Sequence, residues 1–327
     1  MPASTNSDAM ARKPIVVIGS INMDLVCRCA RMPKPGETVG GLDLLTIPGG
    51  KGANQAVAAA KLGTSGDEVH LIGRVGDDDF GQRMLVGLRG HGVHCGQVTV
   101  TEGTSSGCAL ILVDKEGENS IVVSPGANDK LSPQDVDGAA DLIARAAVVL
   151  MQLEIPIATA EHAIGVCRKA GVKVILDPTP VPEKGLPRVL YQVDVLTPNQ
   201  TEAEALLSKR GAMGRMKRAR PVDAKQLGQE LLERGPSVVV MKLGAKGAMI
   251  VDNEIAHVKG FKSKVCDTTA AGDAFNAALA VGLAEGMELS RAVRFANAAG
   301  AKACEKFGAQ PGLPTRMEVE GVMEGMH

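Results

Sequence analysis

The run Ile15-Val16-Val17-Ile18 contains only β-branched residues, with no polar position left to face solvent. A strand of that kind is buried on both faces. Similar apolar runs recur at Val69 to Ile72, Ala147 to Met151, Val172 to Leu176, Val193 to Leu196 and Val238 to Met241, separated by Ala- and Leu-rich helical stretches. Strand alternating with helix predicts an α/β fold of three layers, a mostly parallel sheet flanked by helices. Ligands then belong beyond the carboxyl ends of the strands.

Two segments, about 20–47 and 98–126, break this rhythm. Strand-like alternation at Cys108 to Val113 and Ile121 to Val123 is cut there by Gly and Pro turns. Both segments leave and rejoin the α/β body, so the expectation is a small antiparallel β lid built from insertions. A polar, disordered tail at residues 1–13 and a single body over 14–327 complete the expected organisation. At roughly 150 residues per domain, 327 residues suit one large domain with an insertion as well as two domains.

Composition restricts the partners. Lys and Arg number 36 against 37 Asp and Glu, and a net charge of -1 gives no field to hold nucleic acid or an anionic membrane. With no Trp, Tyr191 alone and five Phe, the core is aliphatic and a base-stacking surface is disfavoured. Seven cysteines, odd in number and irregularly spaced, read as reduced thiols, with Cys27 and Cys29 serving as small hydrophobes. No run approaches 18 apolar residues and no secretory or import signal is evident, so a cytosolic chain is expected. The basic cluster of Lys209, Arg210, Arg215, Lys217, Arg218 and Arg220 reads as a solvated loop, with an RNA-binding or targeting patch as the alternative.

The segment Val265-Cys266-Asp267-Thr268-Thr269-Ala270-Ala271-Gly272-Asp273-Ala274-Phe275 opens an Ala-rich helix that runs to about Ala284. Unpaired N–H groups and the positive end of a helix stabilise anionic oxygens, and small residues admit them closely. Asp273 is able to cap such a helix, but Thr268 and Thr269 offer alternative caps. A carboxylate facing a phosphoryl site is unfavourable unless it accepts a proton from the nucleophile, which makes Asp273 a candidate general base.

Pro48-Gly49-Gly50-Lys51-Gly52-Ala53-Asn54-Gln55 leads into a helix expected over 56–62 and stopped by Gly63. Exposed backbone N–H groups with Lys51 and Asn54 suit a polyol, and Asn22 and Asp24, just after the first strand, are expected to face the same cleft. In Thr197-Pro198-Asn199-Gln200-Thr201-Glu202, Asn199 and Glu202 share a helix face. They form either a capping box or a holder for the water shell of Mg²⁺. Lys242-Leu243-Gly244-Ala245-Lys246-Gly247 follows an apolar run and suits a nucleotide loop. Asp79-Phe80-Gly81 reads as a chance triplet, since protein-kinase and Walker A partners are missing, and Asp77 to Asp79 read as a strand end and helix cap. His91, His94 and Cys95 lack a fourth zinc ligand.

Together, Gly-Ser-Ile-Asn-Met-Asp (19–24), Pro-Gly-Glu-Thr (35–38), the Gly50 to Gln55 block, Met-Gln-Leu-Glu (151–154), the Thr197 to Glu202 block, the Asp267 to Asp273 block and Gly-Ala-Gln-Pro (308–311) resemble the ribokinase branch of the pfkB carbohydrate kinases. The likeness runs from about Ile15 to Pro314. It implies ATP-dependent phosphorylation of D-ribose at O5, giving ribose 5-phosphate and ADP. Related kinases for deoxyribose, other small sugars or nucleosides are the alternative, and a non-catalytic sugar sensor is a further one. By the resemblance, Asn22, Asp24, Gly50, Lys51, Asn54 and Glu154 hold the pentose, and Asp273 takes the proton of its primary hydroxyl. Ala270, Ala271 and Gly272 form the anion hole. ATP rests on Asn199, Lys242, Gly244, Gly247, Gly272 and Asn297, with Glu202 organising Mg²⁺ through water. K⁺ or another monovalent cation activates at Asp267, Thr269, Ala303, Lys306, Gly308 and Gly312. Lys242 stands where small polar residues are frequent in relatives. A homodimer formed through the lid is also implied, and a lid that excludes water suits phosphoryl transfer.

Overall fold

The structure is a computed structural model that describes residues 12–208 and 223–325. The expected tail up to residue 11 and the basic cluster from Lys209 onward lie outside the described residues. Arg12 differs from the expected tail, since its guanidinium reaches Asp67 at 3.0 Å.

The apolar run Ile15–Ile18 is β1, an interior strand third from one edge of a nine-stranded sheet. Its burial on both faces follows from two cores. Ile15 and Val17 belong to one, and Val16 and Ile18 to the other. The remaining strands of this sheet are β4 (Val69–Gly76), β5 (Val93–Thr101), β8 (Val148–Met151), β9 (Lys173–Leu176), β10 (Val195–Leu196), β11 (Val238–Lys242), β12 (Gly247–Val251) and β13 (Ile255–Lys259). Their spatial order is β13-β12-β11-β10-β9-β8-β1-β4-β5. Every pairing from β5 across to β11 is parallel, and β12 and β13 add an antiparallel edge.

Helices cover both faces. One core packs α1 (Lys51–Leu62), α2 (Asp79–Gly90), α8 (Ala271–Ala284), α9 (Leu289–Ala303) and α11 (Arg316–Met323). The other packs α3 (Pro133–Gly138), α4 (Ala140–Arg145), α5 (Ile157–Ala170), α6 (Gln200–Leu207) and α7 (Ala224–Leu232). A short α10 (Ala309–Gly312) follows α9. Asp78 caps α2 through the Gly81 N–H at 2.8 Å, which accounts for the acidic triplet at Asp77 to Asp79.

The helix expected from Ala56 begins earlier, at Lys51. Gly50 permits this, with a φ of 86° and a position where a β-carbon would stand 2.5 Å from the Asn22 nitrogen. The earlier start places Asn54 and Gln55 inside the first turns of α1.

A second, four-stranded sheet consists of β2 (Asn22–Cys29), β3 (Gly41–Gly49), β6 (Gly107–Val113) and β7 (Asn119–Ser124), in the order β3-β2-β6-β7. It departs from the expected antiparallel layer because β2 and β6 pair in parallel. β2 leaves the carboxyl end of β1, and β6 follows β5 from the same edge of the main sheet, so both rise in one direction. Residues 98–101, expected in this layer, instead pair with Gly73–Gly76 as the end of β5.

The close approach of α1 to the end of β1 gives a direct test. A β-carbon on Gly52 would stand 2.5 to 2.7 Å from backbone atoms of Gly19 and Ser20. Gly52→Ala is expected to lower stability by about 1–3 kcal/mol, the usual cost of overpacking, in chemical denaturation. An unchanged midpoint would contradict this packing.

Candidate active site

The carboxyl ends of β1, β8, β9, β10 and β11 deliver Ser20, Gln152, Asp177, Asn199 and Lys242 to one edge of the sheet, and α1 and α8 begin beside them. Asp273, in the first turn of α8, is buried. Its Oδ2 accepts from Asn54 Nδ2 and its Oδ1 from Gln55 Nε2, each at 3.0 Å. Both donors come from α1, so the carboxylate is turned away from its own helix. No side chain caps α8. Thr268 and Thr269 do not take the capping role expected of them, because the Thr269 hydroxyl donates instead to Asp267 at 2.7 Å and the N-cap is Ala270. Ala270 has a φ of 59°, the sole left-handed non-glycine residue among those described. Strain of that kind gathers at functional sites.

The two helix starts differ. On α1, Lys51 N donates to Glu154 Oε2 at 3.3 Å, Ala53 N to Ser20 O at 2.9 Å and Asn54 N to Gly50 O at 2.8 Å. Gly52 N lies 3.5 Å from Ser20 Oγ. The expectation that this glycine motif exposes its N–H groups to a ligand is thus corrected, and it offers the side chains of Lys51 and Asn54 instead. On α8, Ala271 N meets Thr268 O at 3.3 Å, while the N–H groups of Gly272 and Asp273 meet no acceptor among the described residues. Anion affinity is therefore concentrated at α8.

Around α1 lies a polar cleft. Glu154 is fixed by Ser20 Oγ at 2.6 Å. Asn22 is oriented by the buried Asn128, whose Nδ2 donates to Asn22 Oδ1 at 2.7 Å, which leaves the Asn22 amide nitrogen as the free group. Asp24 sits against Gly49, where a β-carbon would stand 2.2 Å from its carboxylate. Asn54 Oδ1 is buried without a partner. An orphaned acceptor beside a carboxylate, ringed by amide donors, suits a ligand rich in hydroxyls. Lys51 is largely buried; burial opposes its charge, but Asp273, Glu154, Asp177 and Glu202 together outweigh that and raise its pKa.

The other half of the site follows β9 to β11. Asp177 is buried, and its Oδ1 accepts from Lys242 Nζ at 2.8 Å and its Oδ2 from Gln55 Nε2 at 3.3 Å. Thr179 Oγ1 donates to Glu202 Oε1 at 2.6 Å and lies 3.2 Å from Asp177 Oδ1. Asn199 and Glu202 form the capping box of α6, with Glu202 N donating to Asn199 Oδ1 at 2.8 Å and Asn199 N to Glu202 Oε2 at 2.7 Å. Capping leaves Glu202 3.9 Å from Lys242 Nζ, so the same carboxylate also faces the site. Gly244 and Gly247 shape the turn between β11 and β12, both with positive φ, and a β-carbon on Gly247 would stand 2.2 Å from Val258 O. Asn297, on α9, spends its amide nitrogen on the carbonyls of Val258 and Lys259, at 3.0 and 3.3 Å.

Asp267 and the residues after α9 converge separately. Gly308 N donates to Asp267 Oδ2 at 2.9 Å and Thr269 N to Oδ1 at 2.9 Å. A β-carbon on Gly312 would stand 3.3 and 3.4 Å from the carbonyl oxygens of Lys306 and Ala303, while the Lys306 ammonium turns away to Glu318 at 2.8 Å. Converging carbonyl oxygens with a carboxylate nearby are the donor set of a hard cation.

Asp177, Gln55, Gln152, Thr179, Ser20 and Asn128 went unassigned in the sequence reading. Asp177 alone carried a signal, an acidic residue at the carboxyl end of an apolar run.

The model of the pfkB family carbohydrate kinases matches residues 12–316. The chain is 40% identical over 311 residues to a ribokinase of Bacillus subtilis, covering 94% of this chain and 99% of that one. It is 37% identical over 267 residues to a deoxyribokinase of Salmonella typhi, covering 80% and 82%. The structure of Arabidopsis thaliana ribokinase complexed with ribose and ATP superposes with a TM-score of 0.85 at 33% identity, covering 96% of this chain and 99% of that one.

Burial raises the pKa of Asp273 to about 6, with Asp177 adding to the shift while Lys51 and the amides of Asn54 and Gln55 oppose it. Burial, Glu154 and Asp273 raise that of Asp24 to about 7, against Lys51. Both carboxyls are harder to ionise folded than unfolded, so they favour the folded state increasingly as pH falls through about 7 and then about 6. Carboxyl-carbon NMR, assigned with Asp24→Asn and Asp273→Asn, is expected to find these two midpoints. Two ordinary aspartate titrations would contradict the described environment.

Proposed function

The chain belongs to the pfkB family of carbohydrate kinases, and we propose that it is a ribokinase that transfers the γ-phosphoryl group of ATP to the 5-hydroxyl of D-ribose. One observation carries the assignment of chemistry. The buried carboxylate of Asp273 does not cap its helix, yet it stands beside two N–H groups that have no partner among the described residues.

The pentose lies in the cleft of Asn22, Asp24, Gly50, Lys51, Asn54 and Glu154. Asp273 accepts the proton of the primary hydroxyl as O5 forms its bond to the γ-phosphorus. The bond from phosphorus to the bridging oxygen breaks, and its electron pair leaves on ADP. Charge on the group in transit falls against Ala270, Ala271 and Gly272, where the helix end stabilises it. Asn199, Lys242, Gly244, Gly247, Gly272 and Asn297 hold the nucleotide. The carboxylate oxygens of Glu202 face this region and fit the water shell of Mg²⁺. Bound with ATP, that ion supplies charge neutralisation on the phosphates. The oxygen cradle of Asp267, Thr269, Ala303, Lys306, Gly308 and Gly312 fits K⁺ or a similar cation, which would hold the loop that leads into α8.

No helix among the described residues is long and apolar enough to cross a membrane. The cytosol supplies ATP and keeps free thiols reduced, which supports that compartment. In the lid, Leu44, Leu110 and Val122 are exposed on the face opposite Asp24, and this supports a homodimer closed through the lid.

Ribose-dependent ADP release in a coupled assay with Mg²⁺ and K⁺ tests the reading. Asp273→Ala is expected to lose roughly 10²-fold to 10⁴-fold or more in turnover, the usual effect of removing a general base. Unchanged turnover would overturn the role of Asp273, and preference for 2-deoxyribose in competition would move the substrate. In sedimentation the native chain is expected to run as a dimer and the Leu110→Lys, Val122→Lys double variant as a monomer. A monomeric native chain would contradict the assembly.

A further inference from the structure

Lys242, the last residue of β11, carries an ammonium aimed by its surroundings. Asp177 Oδ1 lies 2.8 Å from it and Glu202 Oε2 3.9 Å. A β-carbon built on Gly272 would stand 3.7 Å from Nζ, an ordinary van der Waals contact. The ammonium therefore lies near two carboxylates and the second residue of α8, whose N–H and that of Asp273 meet no acceptor among the described residues. An ammonium has three N–H donors. Among the described residues Asp177 Oδ1 is its sole hydrogen-bond acceptor, so two donors are left over in a nearly closed space. Burial opposes the charge, but Asp177 and Glu202 outweigh it and keep the group protonated.

A lysine serving only to hold β9 against β11 needs no such neighbour as Gly272. The ammonium thus lies close to the head of α8 as well as to Asp177. Asp177 also links the two halves of the site, since its second oxygen accepts from the Gln55 amide that holds Asp273. One buried carboxylate thus sets the place of the cation and, through Gln55, that of the base.

We propose that Lys242 is a catalytic residue whose ammonium contacts the phosphoryl group in transit at the head of α8, and that Asp177 is the positioning residue that aims it. The proposal rests on the kinase reading and deepens it. A fixed positive charge at this point meets oxygens whose negative charge spreads as the phosphoryl group leaves ADP.

The test compares Lys242→Met, Lys242→Arg, Asp177→Asn and the double variant Lys242→Met, Asp177→Asn with the native enzyme. Lys242→Met is expected to lower kcat about 10²-fold to 10³-fold, as loss of a transition-state donor does, with the KM for ribose within a few-fold. Lys242→Arg, which keeps the charge, is expected to recover part of the loss. The double variant is expected to be no slower than the poorer single variant, because the two residues act as a unit. Calorimetry adds an arm that needs no sugar. Lys242→Met is expected to weaken MgADP binding only a few-fold, while added aluminium fluoride, a mimic of the group in transit, tightens binding to the native protein far more than to the variant. A Lys242→Met variant that loses thermal stability but keeps both kcat and the fluoroaluminate response would overturn the proposal and leave a structural ion pair. If the native chain released no ADP with ribose, the ribose reading would fall, and the fluoroaluminate arm would still decide the role of Lys242.

Discussion

The site depends on one restraint, the two hydrogen bonds that hold the carboxylate of Asp273 away from its own helix. An aspartate in the first turn of a helix ordinarily settles onto the free N–H groups around it, which satisfies them and closes the anion site. Here both oxygens are claimed by Asn54 and Gln55, partners more than 200 positions distant in sequence. In consequence the amides of Gly272 and Asp273 meet no acceptor among the described residues, and the carboxylate oxygens face α1 rather than their own helix. α1 supplies this restraint because its start is pressed onto the end of β1. Gly50 and Gly52 allow that approach, since a β-carbon at either would meet the Gly19 to Asn22 backbone.

The charges divide along the same line. Lys51 and Lys242 are both partly buried among carboxylates and raised in pKa by them, so neither gives up its proton. Asp24 and Asp273 are raised toward neutrality, mainly because burial penalises their charge. A carboxyl poised near the working pH is suited to accept a proton and return it. Obligate cations next to adjustable acids form an arrangement for neutralising phosphate while moving one proton.

Much of this was legible in the sequence because local pattern carried it. The apolar runs at Ile15, Val148, Ile175 and Val238 became strands of a parallel sheet, since only burial on both faces tolerates four such residues in succession. The block ending at Asp273 announced a helix start lined with small residues. What stayed hidden needed distant partners. Asp177 and Asn128 sit in no motif of their own, and Gln55 acquires meaning only when α8 lies across α1. The Thr268 and Thr269 caps failed for a similar reason, as Asp267 competes for the Thr269 hydroxyl. The parallel pairing of β2 with β6 reflects the edge of the sheet from which each departs, which alternation of side chains does not encode. Asn199 and Glu202 show that a capping box and a site carboxylate are compatible, so the local and functional readings were not rivals.

A crystal structure with ribose and a non-hydrolysable ATP analogue decides whether Asp273 meets both the sugar and the phosphate. A carboxylate oxygen of Asp273 is expected within hydrogen-bonding reach of O5, and the terminal phosphate on the Gly272 and Asp273 amides with Lys242 beside it. A sugar bound with its primary hydroxyl remote from Asp273, or a carboxylate folded back onto the amides of α8, would contradict it.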